Sequence, residues 1–232
     1  GSVFGSRRAG ADDADTSPVW LYCQGGRMKA LVLAPGEDLD VRDIARLAEH
    51  ADLVVGCNLT IRKEPYHRRY HDYCVVSDWQ CVAEYHADFV EASDRGVCLV
   101  TPSCDVAKQY PWIDRMQTET PPTDGGLNPD GAPIWHLGTS GHAAIGLAWA
   151  FLCNEGLPGE IWLLGFTCTG KHFHGDHTGL CEKKGHLLPV NGWVTRHHRI
   201  ASAARQLGVP IRDFTRSPCG AYEPGDWTCL PS

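Results

Sequence analysis

The stretch DLVVGCN, Asp52 to Asn58, decides how the chain folds. Its five inner residues, Leu53 to Cys57, are apolar or small, and none marks a side facing water. A helix buried on one side repeats its apolar residues every three or four positions, and a half-exposed strand alternates them. A short unbroken run bounded by Asp and Asn fits neither pattern. It fits a strand covered on both faces, as in a parallel sheet with helices above and below.

The flanking segments agree. KALVLAP (29–35) reads as a strand, and LDVRDIARLAEH (39–50) as an amphipathic helix whose apolar residues are Val41, Ile44, Ala45, Leu47 and Ala48. DYCVVSD (72–78) is a third strand, residues 79–94 a helix, and GVCLVTPS (96–103) a fourth strand. The loop ETPPTDGGLNPDGAP (119–133) leads to GTSGHAAIGLAWAFLCNEG, a helix opened by Ser140 and closed near Gly156. EIWLLGFTC (160–168) is the fifth strand, followed by a histidine-rich loop, a helix over about 191–207 and a short strand, PIRDFT. Strands alternating with helices predict an α/β protein: a single Rossmann-like three-layer domain with a mostly parallel sheet over residues 19–232. Residues 1–18, small, polar and charged, read as a flexible leader.

Composition narrows the function. Of 232 residues, 43% are hydrophobic and 21% charged, ordinary for a globular protein, and no apolar run approaches a membrane span. The net charge of −7 argues against a broad electrostatic grip on nucleic acid. Two local basic clusters, Arg62 to His71 and Arg196 to Arg199, read as solvated helix faces. The 11 cysteines are odd in number and form no C-x-x-C pair. With Cys57, Cys74, Cys98 and Cys168 in apolar strand-like runs, buried free thiols and a cytoplasmic setting are expected.

In a parallel sheet, ligands bind beyond the carboxyl ends of the strands, so residues just after each strand carry the functional signal. Asn58 can donate and accept hydrogen bonds together, as a base or sugar requires, and is also a common turn residue. Asp78 can hold a ribose hydroxyl or simply cap the helix beginning at Trp79. Ser140 can cap the TSGHAA helix, with Thr139 adjacent and the amides of Gly141 and His142 turned toward a phosphate or ribose.

KHFHGDHTGL (171–180) matches the H-x-H-x-D-H signature of metallo-β-lactamase-type hydrolases through His172, His174, Asp176 and His177. That fold needs further ligands downstream, yet only 55 residues follow His177, with no spaced Asp-then-His pair. On the rim of a parallel sheet, a histidine beside a carboxylate is instead the minimal general-base unit.

The order of VVGCN, YCVVSD, TSGHAAIGLAWAF and EIWLLGF resembles the sialyltransferase-like proteins of glycosyltransferase family 42. It is similar as well to the flagellin-modification and pterin-diphosphokinase-like proteins. The tail from KHFHGDHTGL onward looks like small phage-encoded proteins with an HWHGDH-type loop. The resemblance, over about residues 29–217, implies a nucleotide-sugar donor held by Asn58, Ser140 and Gly141. It also implies a base among His172, His174 and His177, which cannot be aligned residue by residue. The turn APGEDL (34–39) departs from the glycine-rich turn of those families and carries Glu37 and Asp38 where a phosphate would approach.

The leading expectation is therefore a glycosyltransferase using a nucleotide-activated sugar. Asn58, Asp78, Thr139, Ser140 and Gly141 hold the donor, and a histidine of 172–177, oriented by Asp176, takes the acceptor proton. The acceptor is a glycan, a small molecule or a modified phage DNA base, in the host cytoplasm if the protein is phage-encoded. No cofactor is required beyond the donor, and a divalent metal and a homo-oligomer are left open. The alternatives are a metal-dependent phosphoester or nucleotide hydrolase built on HFHGDH, and a nucleotide-binding module without catalysis.

Overall fold

The computed structural model describes residues 27–63, 70–122, 126–136, 138–156, 159–169, 171–172, 175–176 and 190–230. The first strands are β1 (Met28–Leu33), β2 (Leu53–Cys57), β3 (Tyr73–Val75), β4 (Cys98–Thr101) and β5 (Asp114–Arg115). Next, β6 (Thr118–Glu119) and β7 (Ile134–Trp135) pair with each other, before β8 (Gly159–Leu164). A small antiparallel pair, β9 (Lys171–His172) and β10 (Gly175–Asp176), precedes β11 (Ile211–Asp213) and β12 (Glu223–Pro224).

Eight of these strands form one sheet in the order β12-β11-β8-β1-β2-β3-β4-β5, with every neighbouring pair parallel. The architecture is Rossmann-like. From β1 the chain steps outward to β5, then returns to the other side of β1 for β8, β11 and β12. The loops leaving β1 and β8 therefore run apart, and a crevice opens at their carboxyl ends.

Alternation along the strands divides the core. Ala30, Val32, Leu53, Val55, Ile161 and Leu163 face α5 (Ser140–Glu155) and α6 (Val190–Gln206). Leu31, Leu33, Val54, Trp162 and Leu164 face the other way, onto Ile44 and Leu47 of α1 (Val41–Ala48). Toward the β4 edge that second face is covered by α2 (Trp79–Glu84), α3 (His86–Asp94) and α4 (Cys104–Gln109) around Phe89. All five residues of β2 are buried, as its unbroken apolar run requires.

The α5 helix is buried nearly all round because it has neighbours on two sides. It lies on β1, β2 and β3, and the 126–136 segment closes over its back, where Trp149 Nε1 donates to the Asn128 carbonyl at 2.6 Å. A helix so enclosed has no polar face, which explains its run of Ala, Gly and Leu. Among the described residues no helix is long and apolar enough to cross a membrane.

The structure corrects several expectations. The helix over 79–94 breaks at Tyr85, whose backbone (φ −112°, ψ 32°) is not helical. Asn58, which can also serve as a turn residue, opens a 3-10 turn over Asn58–Lys63. His71 is not on a solvated face; it is fully buried, with Nε2 3.1 Å from Thr60 Oγ1. Cys168 is not in a strand, since β8 ends at Leu164 and Cys168 has φ +52°.

The tightest backbone contact lies where β1 and β8 end. Gly36 N donates to the Gly165 carbonyl at 3.0 Å, and Ala34 N to the Leu164 carbonyl at 2.9 Å. A Cβ on Gly165 would stand 2.1 Å from the Ala34 carbonyl oxygen, on a backbone with φ +82°. Gly208 also has positive φ (+70°) but nothing within 4 Å of its would-be Cβ. Gly165→Ala is expected to destabilise the fold by about 2–4 kcal/mol, from left-handed strain plus the forced separation of two backbones. Gly208→Ala carries the strain alone, about 1–2 kcal/mol, and urea denaturation of the two variants checks the difference.

Candidate functional site

Above the Gly36–Gly165 contact lies a cavity of about 130 Å³, at the point where the strand order reverses. Its wall comes from the ends of β1 (Ala34–Gly36), β2 (Cys57, Asn58) and β8 (Gly165–Cys168), the first turn of α5 (Thr139–His142), and Trp193 and His197 of α6. Four of the five residues expected to hold a nucleotide thus line one space: Asn58, Thr139, Ser140 and Gly141. Asp78 lies outside this lining and caps α2, its Oδ1 accepting from Gln80 N at 2.9 Å.

Ser140 is not the helix cap. Thr139 takes that place, its Oγ1 accepting from His142 N at 3.2 Å, so the His142 amide is not open to a ligand. Ser140 is thereby freed to face the sheet. Its Oγ lies 2.9 Å from Asn58 Oδ1, 3.0 Å from Ser77 N and 3.0 Å from Ser77 Oγ. A hydroxyl has one proton, so Ser140 accepts from Ser77 N and shares its proton between two acceptors, Asn58 Oδ1 and Ser77 Oγ. This knot ties the ends of β2 and β3 to the start of α5 and holds Asn58 at φ +50° with its Nδ2 left to donate. The amides of Ser140 and Gly141, in the first turn of a 16-residue helix, have no helical acceptor. Gly141 also packs closely, since a Cβ there would lie 3.2 Å from Phe166 Cε1.

The opposite wall carries a group that reads from sequence as part of a solvated basic face. His197 is 4% exposed and packs against His142 at 4.5 Å between ring centres, the rings tilted by 59°, and lies edge-on to Phe166 at 5.4 Å. Its Nδ1 is 2.7 Å from the hydroxyl of Tyr222. Burial, reinforced by the neighbouring His198, pushes its pKa down to about 4, so the ring is neutral near pH 7. A neutral imidazole with one nitrogen held by a hydroxyl can take or give a proton through the other. The signal was present in the sequence as Trp193 and His197, four residues apart on α6, which share one helix side and both line the cavity.

Of the loop residues, His172 lies in β9 opposite Gly175, and Asp176 lies in β10 opposite Lys171, in one antiparallel pair. His174 and His177 lie outside the described residues. Among the described residues, no group of three or more His, Cys, Asp or Glu is arranged to hold a metal ion. No known protein family and no curated protein matches the chain.

Beside the cavity, at the carboxyl end of β11, Asp213 is buried. Its Oδ1 accepts from Thr215 N at 3.0 Å, and its Oδ2 has no hydrogen-bond partner among the described residues. Burial is the main influence raising its pKa from 3.8 to about 6, with a smaller push from Asp38, against hydrogen bonds from Thr215. Between those two values the folded protein binds more protons than the unfolded chain, so this carboxyl lowers stability as pH rises through the window. Asp213→Asn keeps the acceptor for Thr215 and removes the titration. The stability of wild type relative to this variant should fall by about 2–3 kcal/mol between pH 4 and pH 7, measured by urea denaturation across that range.

Proposed function

We propose that the protein is a glycosyltransferase that binds a nucleotide-activated sugar in the crevice beyond β1 and β8. The observation that carries this reading is the Asn58–Ser140–Ser77 knot at the floor of the cavity, where the strand order reverses. A nucleotide offers what these groups can use. Its phosphate or ribose oxygens suit the Asn58 amide and the open amides of Ser140 and Gly141. A planar base or sugar suits the apolar side formed by Phe166 and Trp193.

In the reaction the acceptor hydroxyl attacks the anomeric carbon, the bond to the nucleotide phosphate breaks, and the acceptor proton passes to a base. His197, neutral and held by Tyr222, is suited to that role within the cavity. His172, His174 and His177, with Asp176, remain the candidates from the neighbouring loop. Glu37 at the rim accepts from Thr169 Oγ1 at 3.3 Å, which turns part of its charge away from an incoming phosphate. The acceptor class stays as the sequence leaves it: a glycan, a small molecule or a modified DNA base.

A thermal-shift panel of nucleotides and nucleotide-sugars tests this directly. At least one nucleotide should raise the melting temperature, and Ser140→Ala and Asn58→Ala should weaken its binding about tenfold or more. His197→Gln should leave nucleotide binding nearly intact while lowering transfer or donor hydrolysis about 100-fold. A wild-type protein indifferent to the whole panel would end the proposal.

A further inference from the structure

Among the described residues, none that lines the cavity is Asp, Glu, Lys or Arg, so the charge a ligand meets there is set at the rim. The two sides of that rim differ in sign. Where β1 and β11 end stand Glu37, Asp38, whose Oδ2 accepts from Ser217 N at 3.1 Å, and the buried Asp213. On the other side α6 brings up Arg196, which adjoins His197 and lies three residues beyond Trp193, both of them lining residues.

Arg196 is half-buried, and its guanidinium lies against the backbone at Gly138. A Cβ on Gly138 would stand 2.8 Å from Arg196 Nη1, 3.7 Å from Cζ and 3.8 Å from Nη2. With φ +87°, Gly138 serves both a left-handed turn and the seat of the guanidinium. It leads directly into Thr139, the cap of α5 on the cavity wall. Two residues before it, His136 Nε2 is buried with no hydrogen-bond partner among the described residues. Burial, and after it the charge of Arg196, lowers the His136 pKa, so its ring is neutral near pH 7 and can offer an anion a hydrogen bond. Arg199, three residues beyond Arg196 on the same helix, adds to the positive charge of this side.

We propose that Arg196 holds the phosphates of the nucleotide, which lie against Gly138 and α6 and away from the turn after β1; this rests on the reading of the cavity as a nucleotide site. A planar guanidinium offers paired N–H groups that match two phosphate oxygens, and its charge offsets theirs. Over the β1 turn the phosphates would instead meet the like charges of Glu37 and Asp38. The two ends of the nucleotide are thereby assigned. The charged diphosphate sits at Arg196, and the uncharged base or ribose enters the apolar space beside Phe166 and Trp193.

The test titrates the intact protein with inorganic pyrophosphate by calorimetry at low salt, then repeats it with Arg196→Gln, which keeps a polar side chain and loses the charge. Wild type should bind pyrophosphate, and Arg196→Gln should weaken that binding at least about tenfold. Arg196→Lys should recover part of the loss, as a point charge without the planar fork. Glu37→Gln should change the affinity by less than about twofold, since the phosphates lie away from its turn. For the nucleotide that gives the largest shift in the thermal panel, Arg196→Gln should weaken the diphosphate and bind the parent nucleoside as wild type does, a split that general loss of structure would not produce. Pyrophosphate binding that is lost in Arg196→Gln, with no nucleotide bound, supports the phosphate site at Arg196 and ends only the nucleotide reading. The assignment is overturned if wild type does not bind pyrophosphate, or if Arg196→Gln binds it or the nucleotide as tightly as wild type. It is equally overturned if Glu37→Gln tightens pyrophosphate about tenfold, which would put the phosphates over the β1 turn.

Discussion

Everything at the rim of the sheet is arranged around the contact between two backbones, Ala34–Gly36 and Gly165. Where a parallel sheet reverses its strand order, the chains leaving the two central strands diverge, and the depth of the crevice depends on how closely they run first. Here the amide of Gly36 reaches the Gly165 carbonyl, and a side chain at 165 would strike the Ala34 carbonyl. The approach sets the floor of the cavity and the direction in which Phe166 and Cys168 leave β8. Phe166 then meets α5 at Gly141 and α6 at His197, so one backbone contact positions both helices relative to the sheet.

On that floor, polar groups have been carried into an apolar interior, where each needs a partner. Ser140 answers by accepting from Ser77 N and directing its proton toward Asn58 Oδ1 and Ser77 Oγ, and thereby ties three secondary elements with a single hydroxyl. His197 answers by remaining neutral. Asp213 has a hydrogen-bond partner on only one oxygen among the described residues, and burial raises its pKa. The two buried titratable groups are displaced in opposite directions, each toward its uncharged form, as a low-polarity setting dictates.

The fold was legible wherever burial was uniform. The run Leu53–Cys57 announces a two-sided strand, and the enclosed α5 shows as an apolar segment without a polar stripe. Elements held by tertiary contacts alone were not legible. The strands β5, β6, β7 and β12 are two residues each, too short for any period to register, and they exist because a neighbour offers a free edge. At the site, Asn58, Thr139, Ser140 and Gly141 follow from their positions after strands and at a helix start. The exchange of roles between Thr139 and Ser140 depends on the distant Ser77 and could not be read locally. His197 was hidden by its charged neighbours: His198 and Arg199 are exposed, and only the packing of α6 turns the residue between Arg196 and His198 inward.

The two-residue strands at the ends of the large sheet also govern how copies of this chain can meet. A parallel sheet of eight strands would normally offer two long rows of unpaired amides and carbonyls for another sheet to join. Here one border is Asp114–Arg115, a pair of opposite charges, and the other is Glu223–Pro224, where the proline has no amide to give. Neither border is long enough to template a further strand. Among the described residues, the borders of the large sheet thus disfavour edge-to-edge growth into fibres.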